Sequence, residues 1–251
     1  AAALKQVPTG EYNPFEVIKT NVIGSQNLIT AAIKSKVKKV IALSTDKAVS
    51  PVNLYGASKL CADKLFTSSN NIVGEQNIAF SVVRYGNVAG SRGSVFPEFE
   101  KQRIKRKFLI TDKKMTRFNI SLNDSVNMVL WSLKNTFGGE IIVPKLPSYK
   151  ILDLAKAIDQ NVKIEIIGIR QGEKIHEELI SKADNLYTYD IGKYYVILQN
   201  NKKLVNIYKQ KFNAKKTKED FVYSSDNKTN VLNKSQLKKI FLEFKDNSKL
   251  Q

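Results

Sequence analysis

Cysteine and histidine are almost absent from this 251-residue chain, which contains one of each, Cys61 and His176. A single cysteine cannot form a disulfide within the chain, and the helical spacing of Cys61 from Leu60, Leu65 and Phe66 predicts a buried core thiol. His176 has no catalytic partner nearby in the sequence, so we expect it to pack against or cap a helix. We expect no metal site.

Long uncharged apolar runs are also missing. No segment approaches the roughly 18 apolar residues that a membrane-spanning helix needs. The opening residues, 1–8, lack the charged-then-apolar pattern of a secretion signal. The sequence therefore predicts a soluble, cytoplasmic protein without a membrane partner.

Acidic residues are scarce, with 23 Asp and Glu against 41 Lys and Arg, which gives a formal net charge of +18. Clustered basic residues can bind nucleic acid by releasing its condensed counterions. Here the lysines are scattered, and the densest runs, 101–107 and 209–218, lack the regularly interleaved aromatic residues that stack on bases. We expect no nucleic-acid partner. The charge can still help to attract a small anionic substrate.

Helix and strand patterns alternate along the first part of the chain. Apolar residues at helical spacing predict a helix over residues 13–36, and a short apolar run predicts a buried strand over 38–43. A helix over 53–70 and a strand over 78–84 follow. This alternation predicts a parallel α/β sheet that binds ligands at the carboxyl ends of its strands.

The pattern is looser after residue 93. We expect helices over 96–105, 121–134, 150–158, 172–181 and 235–244, and strands over 107–111, 140–143 and 163–169. The strand over 140–143 is expected to return to the first sheet. Residues 1–90 are thus predicted to form one domain, and residues 91–251 a smaller lobe with a C-terminal extension.

A glycine-rich turn is missing from the start of the chain. A dinucleotide-binding Rossmann domain opens with a strand, such a turn and a helix. No such turn precedes the helix predicted over 13–36. Either the chain has another α/β fold, or its start has been cut off.

Polar side chains follow the strand predicted over 38–43; they are Ser44, Thr45, Asp46 and Lys47, and then Tyr55 and Lys59. A tyrosine and a lysine four residues apart lie on one face of a helix. The ammonium can lower the pKa of the tyrosine, whose phenolate then removes a hydroxyl proton while hydride leaves the carbon. The hydroxyls of Ser44 and Thr45 can hold the reacting oxygen. The alternative is an ordinary surface pair of helix residues.

Seven short segments carry a resemblance that covers nearly the whole chain. They are AAALKQVP at 1–8, LSTDKA at 43–48, LYGASK at 54–59, VRYGNV at 83–88, GSRGS at 90–94, MTRF at 115–118 and RQGEK at 170–174. Together they resemble the extended short-chain dehydrogenases and, within them, the inverting UDP-N-acetylglucosamine 4,6-dehydratases. The resemblance implies a truncated member, with a Rossmann-like parallel sheet, incomplete at its N-terminus, that binds NADP. It also implies a smaller α/β lobe that binds the UDP-sugar.

The resemblance assigns catalysis to Thr45, Asp46, Lys47, Tyr55 and Lys59. In the implied mechanism, Tyr55 and the cofactor oxidise C4, Lys47 removes the C5 proton, and Asp46 protonates the departing C6 hydroxyl. Lys47 must then be neutral and Asp46 protonated, which requires a desolvated pocket. An adjacent Asp and Lys could equally form an exposed ion pair. Both side chains reach one sugar only if the chain leaves strand geometry at this place.

Binding residues are implied in the same way. The cofactor contacts are Ala1, Ala2, Ala3, Lys5, Ser44, Tyr55 and Lys59, and the substrate contacts are Asn87, Ser94, Val95, Thr116, Arg117, Arg170 and Glu173. Asn87 can hydrogen-bond a sugar or diphosphate oxygen, and Arg170 suits the diphosphate as Glu173 suits the uridine ribose. Arg117 fits either a phosphate or a structural salt bridge. The loop 90–93 can bring backbone amides to an anion or be an ordinary glycine-rich turn.

Asn119 departs from the family pattern. Relatives often carry a large aromatic residue at this place, so the resemblance leaves the adjoining pocket wall undefined.

The leading hypothesis is an NADP-dependent UDP-N-acetylglucosamine 4,6-dehydratase that inverts C5. The resemblance implies a role in surface glycan or flagellin glycosylation, through pseudaminic acid, and a homo-oligomer (dimer or hexamer). One rival is the retaining dehydratase group, in which methionine commonly replaces Tyr55. A second is a UDP-sugar epimerase, which Asp46 and Lys47 make less favourable. A third is an inactive, truncated fragment that only binds nucleotide sugar.

Overall fold

The computed structural model describes residues 3–74, 76–91 and 93–248. The chain divides into two compact units. Unit 1 comprises Ala1–Tyr85, Val126–Lys145 and Glu178–Tyr223, and unit 2 comprises Gly86–Ser125, Leu146–Glu177 and Ser224–Gln251. These boundaries differ from the sequence-based division into 1–90 and 91–251, because later strands pair with the first ones in the sheet of unit 1.

The elements alternate between helices and strands along much of the chain. The helices are α1 (Val7–Tyr12), α2 (Pro14–Ile18), α3 (Gly24–Lys34), α4 (Leu54–Ser68), α5 (Val95–Ile104), α6 (Leu122–Asn135), α7 (Ile151–Ile158), α8 (Lys182–Asn185), α9 (Lys202–Phe212) and α10 (Lys234–Ser248). The strands are β1 (Lys39–Thr45), β2 (Ala79–Tyr85), β3 (Asn87–Val88), β4 (Lys107–Ile110), β5 (Thr116–Ile120), β6 (Ile141–Pro144), β7 (Ser148–Lys150), β8 (Lys163–Ile166), β9 (Glu178–Ile180), β10 (Thr188–Asp190), β11 (Tyr194–Ile197), β12 (Lys215–Lys216) and β13 (Tyr223–Ser224). A π-helical segment (Lys19–Ile23) joins α2 to α3, and 3-10 turns occupy Asp46–Ala48 and Ser69–Asn71.

Unit 1 is built on a sheet with the strand order β1-β2-β6-β11-β10-β12 among the described residues. The strands β1, β2 and β6 are parallel, and β11, β10 and β12 add antiparallel pairs. The expected α/β class with a parallel sheet is therefore confirmed. Tertiary contacts, which the sequence pattern does not report, add the antiparallel strands.

The core of unit 1 lies where α6 and α9 pack on the sheet. Neighbouring strands contribute three fully buried side chains, those of Val83, Ile142 and Val196. The side chains of Met128 in α6 and Tyr208 in α9 are at most 1% exposed. Full burial of such side chains contributes roughly 1.5–3 kcal/mol each. The sequence analysis did not predict α9, because this helix contains many lysines and its apolar face is narrow.

Unit 2 contains a small sheet, β3-β5-β7, and a parallel pair of strands, β4-β8. Its core is aromatic. The rings of Phe99 and Phe108 stack at 4.8 Å, and Phe96 meets Tyr149 edge-on at 6.2 Å. Phe241 of α10 packs on the same cluster. The C-terminal helix therefore belongs to the core of unit 2.

The helix predicted over 13–36 is confirmed over 14–34, where the π-helical segment joins α2 to α3 without a break. Two other expectations about local structure are wrong. The helix predicted over 172–181 is instead a loop that leads into β9. Gly172, at φ +78°, is in the left-handed region, which favours a turn there. Cys61 is exposed, not buried, because Ala62 and Phe66 occupy the inward face of α4.

The start of α4 lies very close to the turn Asp46–Ala48. Asn53 caps the helix by accepting a hydrogen bond from the Gly56 amide at 2.8 Å. A Cβ atom at Gly56 would overlap the carbonyl oxygen of Lys47 and would lie 3.1 Å from Cβ of Pro51. Only glycine lets the helix approach the turn this closely.

We expect Gly56→Ala to lower the free energy of unfolding by about 1–3 kcal/mol, because the added methyl group forces the helix away from Lys47. The matched control is Gly24→Ala in α3, where a Cβ would lie 3.5 Å from the Lys19 carbonyl oxygen, an ordinary contact. That variant should gain up to about 1 kcal/mol from helix propensity. Urea unfolding of both variants measures the difference, and equal effects would contradict the proposed crowding.

Candidate active site

The chain leaves strand geometry where β1 ends. Thr45 has extended backbone angles, and a 3-10 turn begins at Asp46. The Thr45 hydroxyl accepts a hydrogen bond from the Lys47 amide at 3.4 Å, which stabilises the turn. As a result, the side chains of Asp46 and Lys47 meet instead of pointing to opposite faces, and Lys47 Nζ lies 3.1 Å from Asp46 Oδ1.

Four side chains form a continuous series of contacts in unit 1. Thr45 lies close enough to Tyr55 for its side chain to lower the pKa of the phenol, and the Thr45 hydroxyl donates to Asp46 Oδ1 at 2.9 Å. Lys47 completes the series on the same carboxylate oxygen. The Asp46 side chain is 1% exposed and that of Lys47 26%, so the exposed ion pair considered from the sequence is not what forms.

The electrostatic surroundings of Tyr55 differ from the expectation. Burial raises the pKa of Tyr55 above its ordinary value, and Lys47 and the Thr45 hydrogen bond only partly oppose the rise. The lysine that lowers the pKa of Tyr55 is therefore Lys47, not Lys59. Lys59 donates instead to the carbonyl oxygen of Leu43 at 2.7 Å, and burial lowers its own pKa.

A buried ionic network underlies this site. Arg84, at the end of β2, lies 3.4 Å from Asp63 of α4 and 2.9 Å from Asp184 of α8, and it donates to the Leu179 carbonyl at 3.2 Å. Asp63 and Arg84 are each 2% exposed. Burial raises the pKa of Asp63, and Arg84 opposes that rise more than any other group. The network fixes α4, which carries Tyr55, against the end of β2.

Ser44 takes part in the network rather than presenting its hydroxyl proton to a reacting oxygen. Its hydroxyl donates to Asp63 Oδ2 at 2.7 Å, and the residue is 5% exposed. Of the two hydroxyls predicted to hold the reacting oxygen, that of Thr45 is beside Tyr55 and that of Ser44 is bound to Asp63.

Asn21 is a residue that the sequence analysis missed. It lies in the π-helical segment and is 2% exposed, and its amide group exchanges two hydrogen bonds of 2.9 Å with the backbone of Leu4. The same amide donates to Ser58 Oγ at 2.9 Å, and Ser58 donates to the Tyr55 carbonyl at 2.8 Å. An asparagine inside a helical pattern is unfavourable, which was a signal that its side chain has another task.

The predicted cofactor edge is only partly described. Ala1 and Ala2 lie outside the described residues, while Ala3 and Lys5 are exposed on the segment before α1. Leu4, between them, is the residue that Asn21 holds. Roles for Ala3 and Lys5 in cofactor binding stay predictions.

Arg117 and Thr116, predicted to bind substrate, have partners within unit 2. Arg117 donates to the carbonyl oxygens of Thr116 at 2.7 Å and Ile175 at 3.2 Å, and its Nε lies 3.7 Å from Glu177. This is the structural salt bridge considered from the sequence. The Thr116 hydroxyl lies 2.8 Å from Nδ1 of His176, which is on a loop, so the helix that His176 was expected to pack against or cap does not form at this place.

The remaining predicted substrate residues are also in unit 2. Arg170 is 62% exposed and lies 3.9 Å from Glu173, and Val95 packs on the aromatic core. Ser94 begins α5 without a side-chain capping bond. Gly90, at φ +74°, packs under Phe244, where a Cβ would come within 2.5 Å of the ring. Asn87 lies on β3.

Comparison with known proteins identifies the family. The sequence matches a family described as polysaccharide biosynthesis protein over residues 1–199. The chain belongs to this family. It is 52% identical over 236 residues to the inverting UDP-N-acetylglucosamine 4,6-dehydratase of Campylobacter jejuni, an alignment that covers 90% of this chain and 70% of that protein. The resemblance inferred from the seven segments is thereby confirmed.

Two further proteins that are similar to this chain have different names. The chain is 48% identical over 202 residues to a UDP-glucose 4-epimerase of Rickettsia canadensis, which covers 78% of this chain and 59% of that protein. Its structure is similar to that of Pen from Bacillus thuringiensis, with a TM-score of 0.87 and 39% identity over 98% of this chain and 75% of that one. Along the described residues, none of the helices combines the length and apolar character that crossing a bilayer requires.

We expect Lys47→Met to raise the pKa of Tyr55 further, because loss of the nearby ammonium destabilises the phenolate. Lys59→Met should change that pKa little, and Lys64→Met, at an exposed position of α4, serves as the control. Ultraviolet difference titration against Tyr55→Phe in each background isolates the one phenol. A larger shift with Lys59→Met than with Lys47→Met would restore the expectation drawn from the sequence.

Arg84→Met should lower the free energy of unfolding by about 3–5 kcal/mol, because it leaves the buried Asp63 without its cation. The double variant Arg84→Met/Asp63→Leu should recover much of that loss. Lys145→Met is the matched control, since it removes an ion pair with Asp190 that is more than a third exposed, and it should cost at most about 1 kcal/mol. Denaturant unfolding of the three variants compares them, and no recovery in the double variant would contradict the network.

Proposed function

We propose that this protein is an NADP-dependent UDP-N-acetylglucosamine 4,6-dehydratase that inverts C5 and forms a UDP-4-keto-6-deoxy sugar. The observation that carries the proposal is the series of contacts from Tyr55 through Thr45 and Asp46 to Lys47. The 52% identity to an enzyme of that name supports it.

The three groups match the proton transfers that dehydration requires. A base must take the proton of the C4 hydroxyl, a second base must take the proton at C5, and an acid must protonate the departing C6 oxygen. Tyr55, Lys47 and Asp46 are assigned to these tasks in that order. Thr45 holds the phenol of Tyr55 beside the carboxyl group of Asp46.

The Asp46–Lys47 pair can supply its acid and its base together. At 3.1 Å, one proton moving from the ammonium to the carboxylate converts the ion pair into a neutral amine and a carboxylic acid. Burial favours such a neutral pair relative to separated charges, because desolvation penalises both ions. With Asp46 1% exposed, bulk water does not compete for that carboxyl group.

A nicotinamide cofactor suits the residues at the end of β1. Lys59 uses one of its N–H groups on the Leu43 carbonyl and keeps further donors for ribose hydroxyls, at the sheet edge where parallel sheets bind dinucleotides. When bound, NADP supplies the hydride acceptor and donor that the reaction needs. Lys5 and Ala3 are proposed to border it.

An epimerase is the second candidate, favoured by the identity of 48% to a protein of that name. Epimerisation oxidises and reduces one carbon, so it needs Tyr55 but no separate acid and base. The buried Asp46–Lys47 pair favours dehydration over this alternative. A retaining dehydratase is less favoured because its members commonly carry methionine in place of Tyr55.

The family suggests where the product is used. The proposed reaction takes place in the cytoplasm, and its product is a precursor for surface glycan or flagellin glycosylation. The net charge of +18 would increase the encounter rate with a UDP-sugar.

The test is NMR of the products formed from UDP-N-acetylglucosamine and NADP by the full chain in D2O. A dehydratase gives a new C6 methyl signal, deuterium at C5 and the inverted C5 configuration. An unchanged C6 hydroxymethyl group with inversion at C4 would establish the epimerase instead, and retention at C5 would establish the retaining class.

We expect Asp46→Asn and Lys47→Met each to reduce dehydration about 100- to 10,000-fold, which is the usual contribution of a general acid or base. Tyr55→Phe should fall within the same range. Lys64→Met is the control, because it removes the same charge from an exposed position of α4. Dehydration at the wild-type rate by Lys47→Met would contradict the assignment of Lys47 as the base that takes the C5 proton.

A further inference from the structure

One face of α4 carries three polar side chains at successive turns. Tyr55, Lys59 and Asp63 are four residues apart, so they lie on the same side of the helix. Tyr55 and Lys59 are partly buried, whereas Asp63 is only 2% exposed. No role was expected for Asp63 from the sequence. A carboxyl group at this depth is costly to bury unless it is paired, so its partners indicate why it is there.

Two of these side chains bind consecutive residues at the end of β1. Lys59 donates to the Leu43 carbonyl oxygen at 2.7 Å. Asp63 Oδ2 accepts from the Ser44 hydroxyl at 2.7 Å. A single hydrogen bond would let the helix pivot about it, whereas two bonds from successive turns do not. The pair therefore fixes the position of α4 along the end of the strand.

Asp63 also contacts the neighbouring strand β2. Arg84 Nη2 lies 3.4 Å from the same Oδ2 atom that accepts from Ser44. Ser44 and Arg84 are register partners in the parallel pair of β1 and β2. One carboxylate oxygen therefore bridges the ends of two strands, and sliding of α4 along the sheet would break a contact with at least one of them.

The residue after Ser44 begins the candidate active site. Thr45 lies beside Tyr55, and the turn Asp46–Ala48 follows directly. A shift of Ser44 is passed along the backbone to Thr45 and the turn, whereas Tyr55 moves with α4. The position of the phenol relative to the turn thus depends on the contact between Ser44 and Asp63.

We propose that Asp63 is a positioning residue for dehydration, which acts through Ser44 to hold the turn Asp46–Ala48 at a fixed distance from Tyr55. The inference rests on the proposed function. It also gives Ser44 a task within the chain, in place of the cofactor contact that the resemblance implied, because its hydroxyl proton is donated to Asp63 and not to a ligand.

The test removes the contact at Ser44, because replacing Asp63 would also disturb the buried Arg84. Ser44→Ala leaves the ion pair between Asp63 and Arg84 in place. We expect kcat for dehydration by the full chain to fall about 10- to 100-fold, as when reacting groups shift by about 1 Å. The KM values for UDP-N-acetylglucosamine and for NADP should change little. Ser44→Thr keeps the hydroxyl and should recover most of the rate.

Ser81→Ala is the matched control. Ser81 lies on β2 and is 1% exposed, and its hydroxyl donates to the buried carboxylate of Glu140 at 2.7 Å. This variant loses the same kind of hydrogen bond, but away from the end of the strand. Thermal melts of the two alanine variants should show similar losses of stability, and only Ser44→Ala should slow dehydration.

The kinetic constants separate positioning from the other roles of Ser44. Equal kcat values for Ser44→Ala and Ser81→Ala would show that the bond contributes stability alone and would overturn the inference. An increased KM for NADP at unchanged kcat would also overturn it, and would make Ser44 the cofactor contact that the resemblance implied. Absence of any dehydration product from the wild-type chain would instead refute the proposed function, and the role of Asp63 in it.

Discussion

The buried guanidinium of Arg84 is the group on which the geometry of unit 1 depends. It joins the end of β2 to Asp63 of α4, to Asp184 of α8 and to the Leu179 carbonyl of β9. The hydroxyl of Ser44, at the end of β1, binds the same Asp63 carboxylate. A buried charge is costly unless its partners are well placed. The network is therefore intolerant of displacement, which holds the ends of the strands and the helix that carries Tyr55 in one arrangement.

The candidate active site depends on the turn after β1 and on the close approach of α4 to that turn. The 3-10 turn brings Asp46 and Lys47 to the same side, and Gly56 lets α4 come up against the Lys47 carbonyl. Together they place Tyr55 within reach of Thr45. Groups that are held in position before substrate binds need little reorganisation during reaction, which is where much of enzymatic rate enhancement arises.

The sequence predicted the parts of the structure that depend on local periodicity. The strands found at 39–45 and 79–85 and the helix that carries Tyr55 and Lys59 follow from apolar spacing and from the i,i+4 relation. The identity of the lysine beside Tyr55 did not follow, because the spacing along a helix does not report where a preceding turn folds back. Asp63 and Arg84 were missed although each carried a signal, since one lies four residues after Lys59 and the other ends an apolar strand. The helix expected over 172–181 failed because Gly172 favours a turn and because residues 178–180 form β9, which pairs with the distant strand β13.

The amide of Asn21 holds the backbone of Leu4 in the way that a neighbouring strand would, through one donated and one accepted hydrogen bond. Through Ser58, the same side chain is linked to the first turn of α4. The stretch that leads into α1 and the helix that carries Tyr55 are thus linked through Asn21 and Ser58. A displacement of Leu4 would therefore either break these hydrogen bonds or pull on the first turn of α4.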